Sequence, residues 1–217
     1  MLRTTVIGYE FYDYEISYDR VMGKVPHQMT KKPMDMAKAK ICPVPDSIRF
    51  IVCIRDPRAI ITSKHWQVDE FSVSCDWSIH SVVHGKIRKM EGLRAMDRYI
   101  REVTNPVYLF YENLIRHPNE EQERLGDLFD LKYKGEFTDF YRHETPEQLT
   151  VQLNGLRPLD FSRLDSWKQY PERIIKQFTD CPYLHEMLYK YGYERNRDWF
   201  KQLQQKHALQ PPTEGEK

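Results

Sequence analysis

No apolar run in this chain approaches the roughly 18 residues of a membrane-crossing helix, so no membrane span is expected. A secretory signal is not expected either, because the opening MLRTTVIGYEFYDYE carries acids where such a signal places its apolar centre. An excess of one charge is also missing. The 33 Lys plus Arg stand against 32 Asp plus Glu, a net +1 that offers no bulk attraction for nucleic acid or membrane and leaves only a local basic site open. Cysteine is scarce: Cys42, Cys53, Cys75 and Cys181 are too few and too scattered for a disulfide framework. Cys53 lies in an apolar run as a small hydrophobe would, and a reducing cytoplasm is the expected setting. Internal repeats are absent, and the polar segment QQKHALQPPTEGEK predicts an ordered part ending near Phe200 with a flexible tail over 205–217.

What the chain does have is enough apolar residue, 40% of 217, to bury one sizeable core, and a single domain over residues 1–204 is expected. RFIVCI (49–54) is a continuous apolar run of strand length rich in β-branched residues, and PVYLFY (106–111) is a second apolar run, as in a parallel sheet covered on both faces. Between them Val82, Val83, Ile87, Met90, Leu93 and Met96 begin a three-and-four spacing that predicts one long amphipathic helix over 76–103, capped by Asp76. HPNEEQERLGDLFDL predicts a helix starting at Pro118 with Leu125, Leu128 and Phe129 on one side. PYLHEMLYKYGY predicts another, stopped by Gly192. Alternating strands and helices indicate an α/β fold.

Arg55 follows the first strand at its carboxyl end, where ligands collect in open parallel sheets. Asp56 is placed to cap the next helix and Pro57 to occupy its first turn, so Arg55 stands beside a helix N-terminus, a setting suited to an anion. Ser63, seven residues beyond Asp56, would fall two helical turns along on the same side. An arginine fork and a serine hydroxyl together can grip a phosphate.

IRDPRAIITS resembles the 3′-phosphate-binding segment of sulfotransferases that use 3′-phosphoadenosine 5′-phosphosulfate (PAPS), in which an arginine ends a strand and a serine follows at the spacing of Arg55 and Ser63. PVYLFYENLIRHPNEEQERLGDLFDL resembles the family's strand-loop-helix, with Tyr111 at the tyrosine near the adenine and Asn113 replacing the usual acid. TKKPMDM is similar to a Lys-Thr-Pro element and puts Lys31 on its lysine, facing the sulfuryl group. RLDSWKQYPERIIKQF is similar to the tryptophan segment that closes over the nucleotide; Arg157, Arg163 and Lys168 flank it and are read as surface charges. The resemblance spans roughly residues 28 to 193 and resembles bacterial and carbohydrate sulfotransferases most.

It implies a P-loop-NTPase-like three-layer sandwich about a central, mainly parallel sheet. It also implies transfer of a sulfuryl group from PAPS to a hydroxyl or amine of a small molecule or glycan, without a metal and without a nucleic-acid partner. The family's glycine-rich 5′-phosphosulfate loop has no counterpart: residues 1–46 are divergent, MLRTT is at best a remnant of that loop, and the first strand and phosphate loop are expected to be lacking or altered. Two function classes therefore stand, an active sulfotransferase and an inactive nucleotide-binding or interaction module, or fragment, on the same scaffold. A rival chemistry, zinc held by His80 and His84 on one helix face, lacks the following glutamate and a third ligand. Arg55 also has a structural reading, an ion pair with Asp56 or Glu112.

Overall fold

The computed structural model describes residues 3–7, 28–30, 48–65, 68–101, 106–129, 132, 135–142 and 158–208. They form a mixed α/β chain in two compact units, Met1–Arg55 with Tyr99–Ser162, and Asp56–Arg98 with Arg163–Lys217.

The first unit holds a four-stranded, wholly parallel sheet. Its strands are β1 (Arg3–Ile7), β2 (Gln28–Thr30), β3 (Ile48–Ile54) and β6 (Pro106–Phe110), in the order β2-β1-β3-β6. β3 and β6 are the two apolar runs read from the sequence. β1 pairs with β3 from Arg3 opposite Ile48 to Ile7 opposite Val52, so a strand does stand upstream, and Arg3, Thr4 and Thr5 belong to it rather than to a phosphate loop. After β6 the chain enters α3 (Tyr111–Arg116) and α4 (Pro118–Phe129) directly. Leu125 and Phe129 of α4 pack with Ile51 and Leu109 of the sheet. At 1% exposure Phe129 alone contributes about 1.5–3 kcal/mol of burial. Leu128, expected on the same side, is exposed. Gln122 closes the end of this layer, donating to Gly135 O (2.7 Å) and accepting from Phe137 N (2.6 Å).

The second unit contains α1 (Pro57–Ile61), a hairpin of β4 (Trp77–Val83) and β5 (Lys86–Glu91), and α2, which begins at Leu93 and runs to Ile100 across the unit boundary. It ends in α5 (Pro171–Asp180), α6 (Tyr183–Lys190) and α7 (Asp198–Ala208). The hairpin overturns the long helix expected over 76–103, of which only 93–100 is helical. The cause lies at His84 and Gly85, whose φ of 49° and 73° make a two-residue reversal no helix can contain. Gly92 admits the close return of the chain, since a Cβ there would lie 2.3 Å from Trp77 N. The same reversal takes away the single helix face on which the rival zinc reading had placed His80 and His84, since His80 lies in β4 and His84 in the turn that follows it.

Ile174, Phe178, Leu184, Met187 and Leu188 form the buried face of the C-terminal helices. Gly192, at φ 75°, ends α6 as expected, with its N–H bonded to Tyr189 O at 3.2 Å. α7 continues past Phe200, where the ordered part was expected to end, as far as Ala208. Cys75 and Cys181 are joined in a disulfide across 106 residues. The scattered cysteines thus include one pair, which removes the basis on which a reducing compartment was inferred, while Cys53 is free. No helix among the described residues is long and apolar enough to cross a membrane.

Candidate functional site

The site is built at the end of two neighbouring parallel strands. Ile54 of β3 lies opposite Phe110 of β6, so the next residues, Arg55 and Tyr111, leave the sheet side by side at its carboxyl edge. Tyr111 is held there because α3 starts on it, with Phe110 as the preceding cap residue. The Arg55 guanidinium carbon lies 4.6 Å from the centroid of the Tyr111 ring, a cation–π contact of about 0.5–2 kcal/mol. Stacking uses the face of a guanidinium and phosphate recognition uses its edge, so one arginine can do both.

Ser63 belongs to the second unit, and its surroundings differ from those expected. α1 is five residues long and stops at Ile61, so Ser63 follows the helix instead of lying two turns along it. Local hydroxyl bonds account for the stop: Thr62 donates to Arg58 O at 2.7 Å and Ser63 to Ala59 O at 2.9 Å, competing with helical continuation. Ser63 is then fixed by its carbonyl, which accepts from Ser72 N at 2.7 Å. Arg173 fastens the same turn. Its Nε donates to Ile61 O (2.5 Å), its Nη2 to Val73 O (2.9 Å), and its guanidinium lies 3.9 Å over the Phe71 ring. Burial lowers the Arg173 pKa to about 10, which still leaves it charged at neutral pH.

Asp56 caps α1 as expected, accepting from Arg58 N at 2.8 Å. Its carboxylate thereby occupies the helix N-terminus that was expected to receive an anion. Arg58, which the sequence reading passed over, is the centre of this region. It binds Asp56 (2.7 Å) and Glu194 (2.5 Å) while its guanidinium lies 4.3 Å from the Trp167 ring and 4.8 Å from the Trp199 ring. Burial opposes its charge, but the two carboxylates outweigh burial and raise its pKa. Trp167, in the segment expected to close over a nucleotide, has its ring against Arg58. An arginine two residues after a capping aspartate was the available signal for this cluster.

Lys168 pairs with Asp165 at 2.9 Å on the surface, and Arg163 is exposed, in keeping with their reading as surface charges. Lys31 and Arg157 lie outside the described residues.

No family model and no curated protein matches the chain. Among solved structures, the sulfotransferase domain from the curacin biosynthetic pathway superimposes with a TM-score of 0.42 at 12% identity, over 65% of this chain and 54% of that one. The chain spans about half of that domain's length, and at such overlap any assignment rests on the chain's own residues.

Proposed function

We propose that the protein transfers a sulfuryl group from PAPS to a hydroxyl or amine acceptor. The observation that carries this reading is Arg55 stacked on Tyr111 at the carboxyl edge of adjacent parallel strands, a cation and an aromatic ring where a nucleotide would bind. In the proposal Arg55 holds the 3′-phosphate and Tyr111 borders the adenine. Assignment of Ser63 to the same phosphate rests on its sequence spacing from Arg55, with its hydroxyl exchanging Ala59 O for a phosphate oxygen. Lys31 is assigned by resemblance to the charge that develops on the sulfuryl oxygens. In the reaction the bond from sulfur to the nucleotide's bridging oxygen breaks as the acceptor–sulfur bond forms, and the acceptor proton leaves to a base. Positioned charge supplies most of the catalysis in such a transfer. The reading takes residues 1–204 as one sulfotransferase-like domain with a P-loop-like three-layer architecture.

The deciding test is calorimetric binding of 3′-phosphoadenosine 5′-phosphate to the wild type and to Arg55→Ala. Loss of a charge-assisted phosphate contact, about 1.5–3 kcal/mol, should weaken binding roughly 10- to 150-fold. A folded wild type that does not bind overturns the proposal. Binding without sulfuryl transfer to any acceptor would select a nucleotide-binding module.

A further inference from the structure

Cys75 and Cys181 each keep only 2% of their surface, yet their disulfide lies one side chain from solvent. That side chain is Arg94, itself 53% exposed, whose Nη2 donates to Cys181 Sγ at 3.2 Å and to Cys75 Sγ at 3.8 Å. A disulfide sulfur is a neutral, weak acceptor, so this contact becomes strong only when a sulfur turns into a thiolate. Asp76 shares the same nitrogen at 3.2 Å, but its carboxylate is exposed and screened by water. The next acid, Asp97, is taken up by Tyr183, Lys190 and Tyr191. Cys53 shows what burial does to a thiol when desolvation decides: it is pushed up to about 12 and kept inert. At Cys181 a guanidinium opposes that effect.

We propose that Cys75–Cys181 is a thiol–disulfide exchange site for low-molecular-weight thiols, with Cys181 as the sulfur that leaves. The thiolate of the small thiol attacks Cys75 Sγ, a new sulfur–sulfur bond forms there, and the old bond breaks with its electron pair passing to Cys181 Sγ beside Arg94. A second small thiolate then attacks the outer sulfur of the mixed disulfide and releases Cys75. Two small thiols are thereby oxidised to one disulfide, the protein disulfide is reduced, and the protons of the small thiols end on the freed cysteines or in water. The closer approach of Arg94 to Cys181 sets the order, because the sulfur better stabilised as an anion leaves faster. An exposed guanidinium at the entrance also favours thiols that carry carboxylates over cationic ones. The bond joins the two chain segments of the second unit, so exchange fastens or frees them as a redox latch inside that unit. Nothing in it depends on the proposed sulfuryl transfer.

The test equilibrates the full chain with reduced and oxidised glutathione at graded ratios, then quenches by alkylation and maps each cysteine by peptide mass. In the wild type the mixed disulfide should be trapped on Cys75, at a rate that rises with glutathione concentration. Arg94→Met should shift the equilibrium toward the protein disulfide about tenfold, which for two electrons is about 30 mV, and Arg94→Lys should recover most of that shift. In Cys75→Ser, alkylation of Cys181 against pH should have a midpoint below the ~8.5 of a free thiol, and adding Arg94→Met should raise it. Cysteamine, a cationic thiol, should react more slowly than glutathione with the wild type, each rate taken relative to a small model disulfide, and the difference should shrink in Arg94→Met. A reduction rate independent of thiol concentration would mean that the bond opens only when the unit unfolds, and overturns the proposal. Trapping on Cys181 instead of Cys75, or equal exchange equilibria in the wild type and a folded Arg94→Met, overturns it as well.

Discussion

His185 lies at 2% exposure with its ring centroid 4.9 Å from those of both Phe178 and Phe200, and its Nδ1 is buried without a hydrogen-bond partner. Such a place holds an imidazole comfortably only while it is uncharged. Burial first, and the charge of Arg197 second, lower its pKa from 6.5 to about 4. The folded protein therefore binds fewer protons than the unfolded chain between these values, and stability falls as acid is added through that window. Melting temperature measured from pH 7 to 4 should drop in the wild type and drop less steeply in His185→Phe, which keeps the ring without the titrating nitrogen. Parallel profiles would show that His185 is not the source. Asp97, wholly buried, behaves separately. Burial disfavours its charge, yet donation from Tyr183, Tyr191 and Lys190 lowers its pKa below 3.8, so its contribution is lost only at still lower pH.

At the scale of elements, the chain announced what local chemistry determines. β3 and β6 were legible because continuous apolar runs suit a strand covered on both faces, and the positions of Arg55 and Tyr111, though not their stacking, followed from where those runs end. Asp56-Pro57 and Gly192 declared helix ends for similarly local reasons. The hairpin was misread because its apolar residues fall at intervals that a helix also produces, while the decisive feature, positive φ at His84 as well as Gly85, is carried by one residue with no strong preference for it. Ser63 was misplaced because Thr62 and Ser63 stop α1 by bonding back to it. Arg173 was invisible since its partners, Ile61 O and Val73 O, are backbone atoms at separations of 112 and 100 residues. Arg173→Met keeps much of the stem but strands both carbonyls, and should cost about 2–3 kcal/mol in a denaturant titration, with Arg173→Lys recovering part. If nucleotide binding weakens in Arg173→Met and recovers alongside stability in Arg173→Lys, the clamp matters for the turn that carries Ser63. An unchanged denaturation midpoint in Arg173→Met would show the clamp to be dispensable.

On the scale of the whole molecule, the second unit is assembled from two chain segments separated by residues 99–162, which belong to the first. Three of its polar ties span that gap: Arg58 to Glu194 over 136 residues, Asp97 to Lys190 over 93, Arg173 to Ile61 over 112. Contacts so distant in sequence carry a large closure entropy, and a covalent tie acts most where loops are long. Cys75–Cys181, closing 106 residues, is such a tie, and Arg94 Nη2 lies 3.2 Å from Cys181 Sγ at its flank. Breaking it should cost about 2–4 kcal/mol, a fall in Tm of roughly 4–16 °C for a chain of this size. Differential scanning calorimetry of the oxidised protein, the reduced protein and Cys75→Ser/Cys181→Ser, with thiols titrated in each, makes the comparison. The double variant should melt with the reduced form and ignore further reductant. Equal melting temperatures in samples whose thiol counts differ would mean that the non-local ion pairs hold the second unit together without the disulfide.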